Sequence, residues 1–263
     1  MPWRARGRQV YETASEIQRR FSAIRGSTLA AAMSMRAFLA LFPIALLALG
    51  VIGLAGGDPS RIGEQIAQAL GLGQEFGHTI ARSIQTAEHQ QLTSSLVGLA
   101  GLVWAGTGLS AAMAAAWDAA WDTPGGVIRG RAAGVVWIFG GLIFLAATIA
   151  SSALLHSVSI TIELGVIGGV IANALFLFWT ALLLPERSIP WRAMVRPALY
   201  GGIALEVLRD IGATVVPALV RRSSTAYGAI GAAFTLLVWL LFMGRVIVYT
   251  ALLERVRDER LTD

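Results

Sequence analysis

The side chains of this sequence that could do chemistry are five charged residues inside long apolar runs. Arg36 lies in the first run, Glu206, Arg209 and Asp210 lie near the middle of the fifth, and Arg245 lies in the sixth. A charge at the centre of a bilayer costs roughly 2.5–3.5 kcal/mol on insertion scales, so five facing lipid would cost on the order of 10 kcal/mol. These side chains must therefore face one another or water, and two carboxylates with three guanidiniums can pair almost completely.

Three interpretations of these charges stay open at the level of sequence. One is a polar cavity that binds an anionic or amphiphilic headgroup, because the planar fork of arginine suits phosphate and carboxylate. Another is a buried salt-bridge network that holds the helices in register, since Glu206 reaches Arg209 and Asp210 at i+3 and i+4 on one helix. Proton coupling through Glu206 or Asp210 is a third alternative. Asn173, in the fourth run, is a candidate hydrogen-bonding neighbour.

Six long apolar runs must position these residues. A helix needs about 20 apolar residues to cross a hydrocarbon core roughly 30 Å thick, and each run reaches that length. The second, third and fourth runs contain no charged residue. The sequence therefore predicts an all-α, polytopic membrane protein with six transmembrane helices. The runs, numbered here as spans one to six, cover residues 30–54, 92–117, 132–155, 164–184, 198–220 and 227–253.

The arginines predict the orientation of these spans. All 21 basic residues are arginine, and 14 of them lie on the side that carries both termini, against four on the other side. Positive residues concentrate on the cytoplasmic side of membrane proteins, so both termini are predicted to be cytoplasmic. The formal charge of +5 is therefore explained by membrane topology, and no nucleic-acid partner is expected.

Residues 1–263 are predicted to form a single transmembrane domain with two further features. Residues 1–29 form a cytoplasmic amphipathic segment whose apolar side chains repeat at helical spacing over 10–24. That helix either lies on the inner membrane surface or packs on its own protein. Residues 58–91 form an extracytoplasmic loop with two short amphipathic helices.

The sequence offers no catalytic centre, no cofactor site and no metal site. It contains no cysteine, its three histidines are scattered, and it has neither an HExxH nor a G-x-S-x-G motif. The segment Gly106-Thr107-Gly108 imitates part of a dinucleotide fingerprint, but it lies inside a membrane span rather than after a strand. The protein is therefore not expected to be an enzyme.

The segment Tyr227-Gly228-Ala229-Ile230-Gly231 precedes a tryptophan-containing last span. It is the most specific of four segments whose order and spacing resemble the YihY/BrkB family of bacterial inner-membrane proteins. The resemblance implies six helices in the bacterial cytoplasmic membrane. It also implies links to envelope integrity. The old family label of ribonuclease BN does not suit residues that supply neither a metal cluster nor an acid–base pair in reach of RNA. The four segments cover residues 31–43, 103–121, 184–202 and 226–240.

Together these observations predict a transporter or exporter of an amphiphilic, lipid-like envelope component. Its polar cavity would lie between spans one, five and six, lined by the five charged residues with Asn173 nearby. The alternative is a non-transporting scaffold for envelope assembly, with the charges as a structural network. Alanine at Glu206 or Asp210 should abolish transport but leave folded protein, whereas loss of folded protein would favour the structural network. Membrane lipids are the expected partners, and the oligomeric state stays open.

Overall fold

A computed structural model describes residues 2–55, 91–123, 133–144, 147–148, 162–185 and 190–262 of the chain. Every regular element within these residues is an α-helix, so the predicted all-α class is confirmed. The predicted loop helices of residues 58–90 and most of the second half of span three lie outside the described residues. The helices are α1 (Pro2–Ala23), α2 (Gly26–Ala55), α3 (Gln91–Ala120), α4 (Ala133–Phe144), α5 (Ile162–Leu183) and α6 (Trp191–Thr262).

Four stretches of helix within the described residues are long and apolar enough to cross a membrane. They correspond to predicted spans one, two, four and six. Span five is not among them, because Glu206, Arg209 and Asp210 interrupt its apolar sequence, and α4 is an apolar helix of shorter length. The four stretches are Gly26–Ile44, Leu99–Ala120, Gly165–Leu183 and Ile230–Val256.

The 72-residue helical run of α6 folds back on itself. The hydroxyls of Ser223 and Thr235 lie 3.0 Å apart, although twelve residues of straight helix would span about 18 Å. Farther from the turn, a side chain added at Gly212 would collide with the Trp239 indole. We call residues 191–223 the first arm and residues 230–262 the second arm. The two arms run antiparallel and correspond to predicted spans five and six.

The N-terminal helix packs against the end of the second arm. Arg25 adopts a left-handed backbone conformation with φ of 54°, which separates α1 from α2. Phe21 is buried, and its ring stacks on that of Tyr249 with centroids 4.4 Å apart. Ile17 and Ile24 pack against the same core. Residues 17–24 therefore follow the second alternative for the amphipathic segment, because their apolar face contacts the protein itself.

Candidate intramembrane polar site

The polar site lies where α5 meets the first arm, and glycine allows the two helices to approach there. A Cβ atom at Gly202 would lie 2.7 Å from the backbone nitrogen of Ala174 and 2.8 Å from the backbone oxygen of Val170. A Cβ atom at Gly169 would collide with the carboxylate of Glu206. Small residues permit such close packing of membrane helices. The sequence folds this way locally because each helix carries glycine where the other passes.

Glu206 is the centre of this site, and only 1% of its surface is exposed. Asn173 Nδ2 donates a hydrogen bond of 3.0 Å to Glu206 Oε2. Arg209 Nη2 lies 2.5 Å from Glu206 Oε1 and 3.5 Å from Asp210 Oδ1. The contact between Arg209 and Glu206 Oε1 is an ion pair, and this oxygen has no hydrogen-bond partner among the described residues. We call these four residues the Glu206 cluster.

The Glu206 cluster is graded from a buried end to an exposed end. The side chain of Arg209 is 33% exposed and that of Asp210 is 54% exposed, against 2% for Glu206. Carboxylate and guanidinium groups therefore form a continuous polar track from the helix interface to the surface of the first arm. Such a track can present an arginine to an anion from outside the bundle.

The structure brings together four of the six predicted site residues and leaves two apart. Arg36 is exposed on α2, and its guanidinium lies over Gly108 of α3. Arg245 is half-buried on the second arm, and its Nε has no hydrogen-bond partner within the described part of the chain. Gly201 faces Thr250 and Gly212 faces Trp239, so the same antiparallel register sets Arg245 about level with Glu206.

A second buried carboxylate, Glu254, was missed by sequence reasoning. It is completely buried, and Trp117 Nε1 donates a 2.7 Å hydrogen bond to its Oε2. Its Oε1 is buried without a hydrogen-bond partner among the residues that the structure describes. Glu254 lies one residue beyond the predicted end of span six and next to Arg255, so it falls outside the apolar runs in which charged residues were sought. Trp117 was the available signal, because its indole N–H lies at the end of an apolar run and needs an acceptor.

Charged residues of α1 and the end of α6 form a separate group, which we call the terminal network: Glu16, Arg19, Arg20, Arg255 and Glu259. Hydrogen bonds from Arg19 and then Arg20 lower the pKa of Glu16 to about 2. Arg20 also lies 2.8 Å from Glu259 and lowers the pKa of that carboxyl. The guanidinium of Arg255 pairs with Glu259 at 2.9 Å and lies 5.3 Å from the Trp121 ring centroid. This network therefore attaches the N-terminal helix to the C-terminal one.

No group of three or more metal-ligating side chains occurs within the described ranges. The Glu206 cluster contains two carboxylates, a guanidinium and an amide, which form ion pairs and hydrogen bonds.

Several apolar helices with a graded cluster of charges between them define a helical membrane protein of the multi-pass class. Residues 17–263 match the family described as virulence factor BrkB, and the chain belongs to that family. The predicted YihY/BrkB membership is thereby confirmed. No curated protein and no solved structure matches the chain.

Proposed function

We propose that this protein is a transporter or exporter of an amphiphilic, lipid-like envelope component, and that the Glu206 cluster forms the polar part of its path. The observation that carries the proposal is the graded exposure of the cluster, from buried Glu206 to half-exposed Asp210. An ion pair that only joined two helices would need no extension to the outer surface of the first arm. In this proposal the protein lies in the bacterial inner membrane with both termini in the cytoplasm.

The geometry suggests how a headgroup would be received. Arg209 is held by Glu206 at 2.5 Å and more loosely by Asp210 at 3.5 Å. An anionic headgroup would exchange with Asp210 as the partner of Arg209, while Glu206 keeps the guanidinium in place. Asn173 would fix the Glu206 carboxylate during that exchange. Arg245, about level with Glu206 on the second arm, would be a further contact along the path.

The alternative function is a non-transporting scaffold for envelope assembly, with the charges holding the bundle together. The hydrogen bond from Asn173 to Glu206 favours it, because this bond ties α5 to the first arm. The tight contact at Gly202 also belongs to a closed helix interface.

Asp210→Ala tests the proposal better than a change at Glu206, because the half-exposed Asp210 side chain contributes little to folding. The full chain is reconstituted into vesicles with a fluorescently labelled anionic phospholipid, and movement of the label between leaflets is measured. Transport should fall by about tenfold in Asp210→Ala, with an unchanged yield of folded protein, because a headgroup bound to Arg209 would then have no carboxylate to replace it and would be released slowly. Glu16→Ala is the matched control, since it removes one carboxylate outside the polar site.

Equal rates for the wild type, Asp210→Ala and protein-free vesicles would contradict transport and favour the scaffold. Loss of folded protein in Asp210→Ala would show that the cluster is structural.

A further inference from the structure

A cavity of about 680 Å³ lies between the two arms of α6, beside the turn that joins them. Ligand pockets span about 300–1,000 Å³, so this one is large enough for part of a lipid. We call it the hairpin groove, formed by Leu219 and Arg222 on the first arm and by Ile230, Phe234 and Val238 on the second. Ile230 and Phe234 are 67% and 64% exposed, so the groove is not enclosed and can be reached from outside the two arms.

The floor of the hairpin groove offers little to a polar ligand. The hydroxyls of Ser223 and Thr235 contact each other at 3.0 Å. The Ser223 hydroxyl also lies 3.2 Å from the backbone oxygen of Val220, and the Thr235 hydroxyl lies 3.0 Å from that of Gly231, so the one proton of each hydroxyl has an acceptor within the protein. Because these hydroxyls are already hydrogen-bonded within the protein, the floor presents mainly hydrocarbon. An apolar chain can therefore lie on it without leaving buried polar atoms unpaired.

Arg222 supplies the single charge of the groove lining. It is exposed, and no carboxylate pairs with it among the side chains that the structure describes. It lies one residue from Ser223, at the turn end of the groove, whereas Phe234 and Val238 extend away from the turn along the second arm. In a helix pair that crosses a membrane, the turn lies near the surface, where arginine reaches the headgroups.

We propose that the hairpin groove binds an anionic phospholipid, with its phosphate on Arg222 and an acyl chain against Phe234 and Val238. The order of charge and hydrocarbon along the groove is the order found in a lipid, with the headgroup at the surface and the tail toward the bilayer interior. The guanidinium favours an anionic lipid over a zwitterionic one, because the latter brings its own positive charge.

This lipid site is independent of the proposed transport path. Arg222 follows Glu206 by 16 residues on the first arm, which corresponds to about 24 Å of helix. A lipid held at the hairpin groove does not have to move for the inference to be correct. The two proposals can therefore fail separately.

Lipid binding is tested with the full-length protein in detergent, titrated with phosphatidylglycerol or phosphatidylethanolamine and observed by native mass spectrometry. The wild type should prefer phosphatidylglycerol about fivefold, the effect of one arginine near an anionic headgroup. Arg222→Gln should remove this preference, whereas Arg221→Gln, which makes the same charge change outside the groove lining, should retain it.

A second pair of variants tests the tail. Phe234→Ala should lower the occupancy of both lipids, and Phe242→Ala, two turns farther along the same arm and also exposed, should not. An unchanged preference in Arg222→Gln would overturn the proposal. Displacement of phosphatidylglycerol by inorganic phosphate would also overturn it, because it would identify a site for free anions. Equal lipid occupancies in Phe234→Ala and Phe242→Ala would overturn it as well.

Discussion

The Glu206 cluster and the terminal network both pair arginine with glutamate, but they do so at different degrees of burial. In the terminal network, Arg20 pairs with Glu16 at 2.6 Å and with Glu259 at 2.8 Å, and every partner is about one third exposed. In the cluster, Arg209 pairs with Glu206 at 2.5 Å, but the carboxylate is almost fully buried. The distances are alike, so the difference between the two regions lies in the access of water.

That difference decides what each pair contributes to the fold. An exposed ion pair is worth roughly 0–1 kcal/mol, because water and salt replace the partner that is removed. A buried charge whose partner is removed has no such replacement and costs several kcal/mol. We therefore infer that the terminal network guides the docking of α1, while the Glu206 cluster sets the packing of α5 on the first arm.

Among the changes that test this comparison, Glu206→Ala should lower the stability of the protein most. It leaves the Asn173 amide without its acceptor and opens a cavity at a buried helix interface, so the free energy of unfolding should fall by about 3–4 kcal/mol. Denaturant titration of the purified protein in micelles measures the loss, with Glu16→Ala as the exposed counterpart. Equal stabilities of the two variants would contradict the distinction between the regions.

Gly202→Ala should have an intermediate effect, because it tests the packing that buries Glu206. The added methyl group would meet the backbone of Val170 and Ala174, and overpacking of this kind costs about 1–3 kcal/mol. Gly168→Ala on α5 is the matched control, since a Cβ there meets nothing within 4 Å. The same titration applies. A loss of stability as large in Gly168→Ala would contradict the role of the contact, because alanine is the better helix former and a Cβ atom there meets nothing.

Acidification should have the smallest effect, confined to the terminal network. The pKa of Glu259, near the end of α6, is lowered from 4.5 chiefly by its hydrogen bond from Arg20 of α1, so its ionised form favours the docked helix. That contribution is complete above pH 4.5 and is lost as the pH falls through the lowered pKa. The chain has no cysteine, so a spin label on Ser22→Cys can report the mobility of α1. Mobility should rise over this pH range.

Arg20→Gln is the control for the acid response, because it removes the arginine shared by Glu16 and Glu259. The labelled variant should start with a more mobile α1 and change less with pH. An identical pH response in both proteins would show that the network does not hold α1.

Much of the fold could be predicted from the sequence, because a helix that crosses hydrocarbon must be about 20 residues long and mostly apolar. The i+3 spacing of Glu206 and Arg209 likewise anticipated their contact, since it depends on one helix alone. The position of Arg36 over Gly108 could not be anticipated, because it depends on how α2 and α3 pack. Glu254 was missed for a similar reason, as its burial requires Trp117 from another helix.

The antiparallel register of the two arms has a consequence for the lengths of these segments. Gly201 faces Thr250 and Gly212 faces Trp239, so equal numbers of residues separate these contacts along both arms. One inserted residue would rotate everything beyond it by about 100° around the helix axis. Glycines would then turn away from their bulky neighbours, and Glu206 would leave Asn173. Natural variation in chain length is therefore better accommodated in the connections between helices than within either arm.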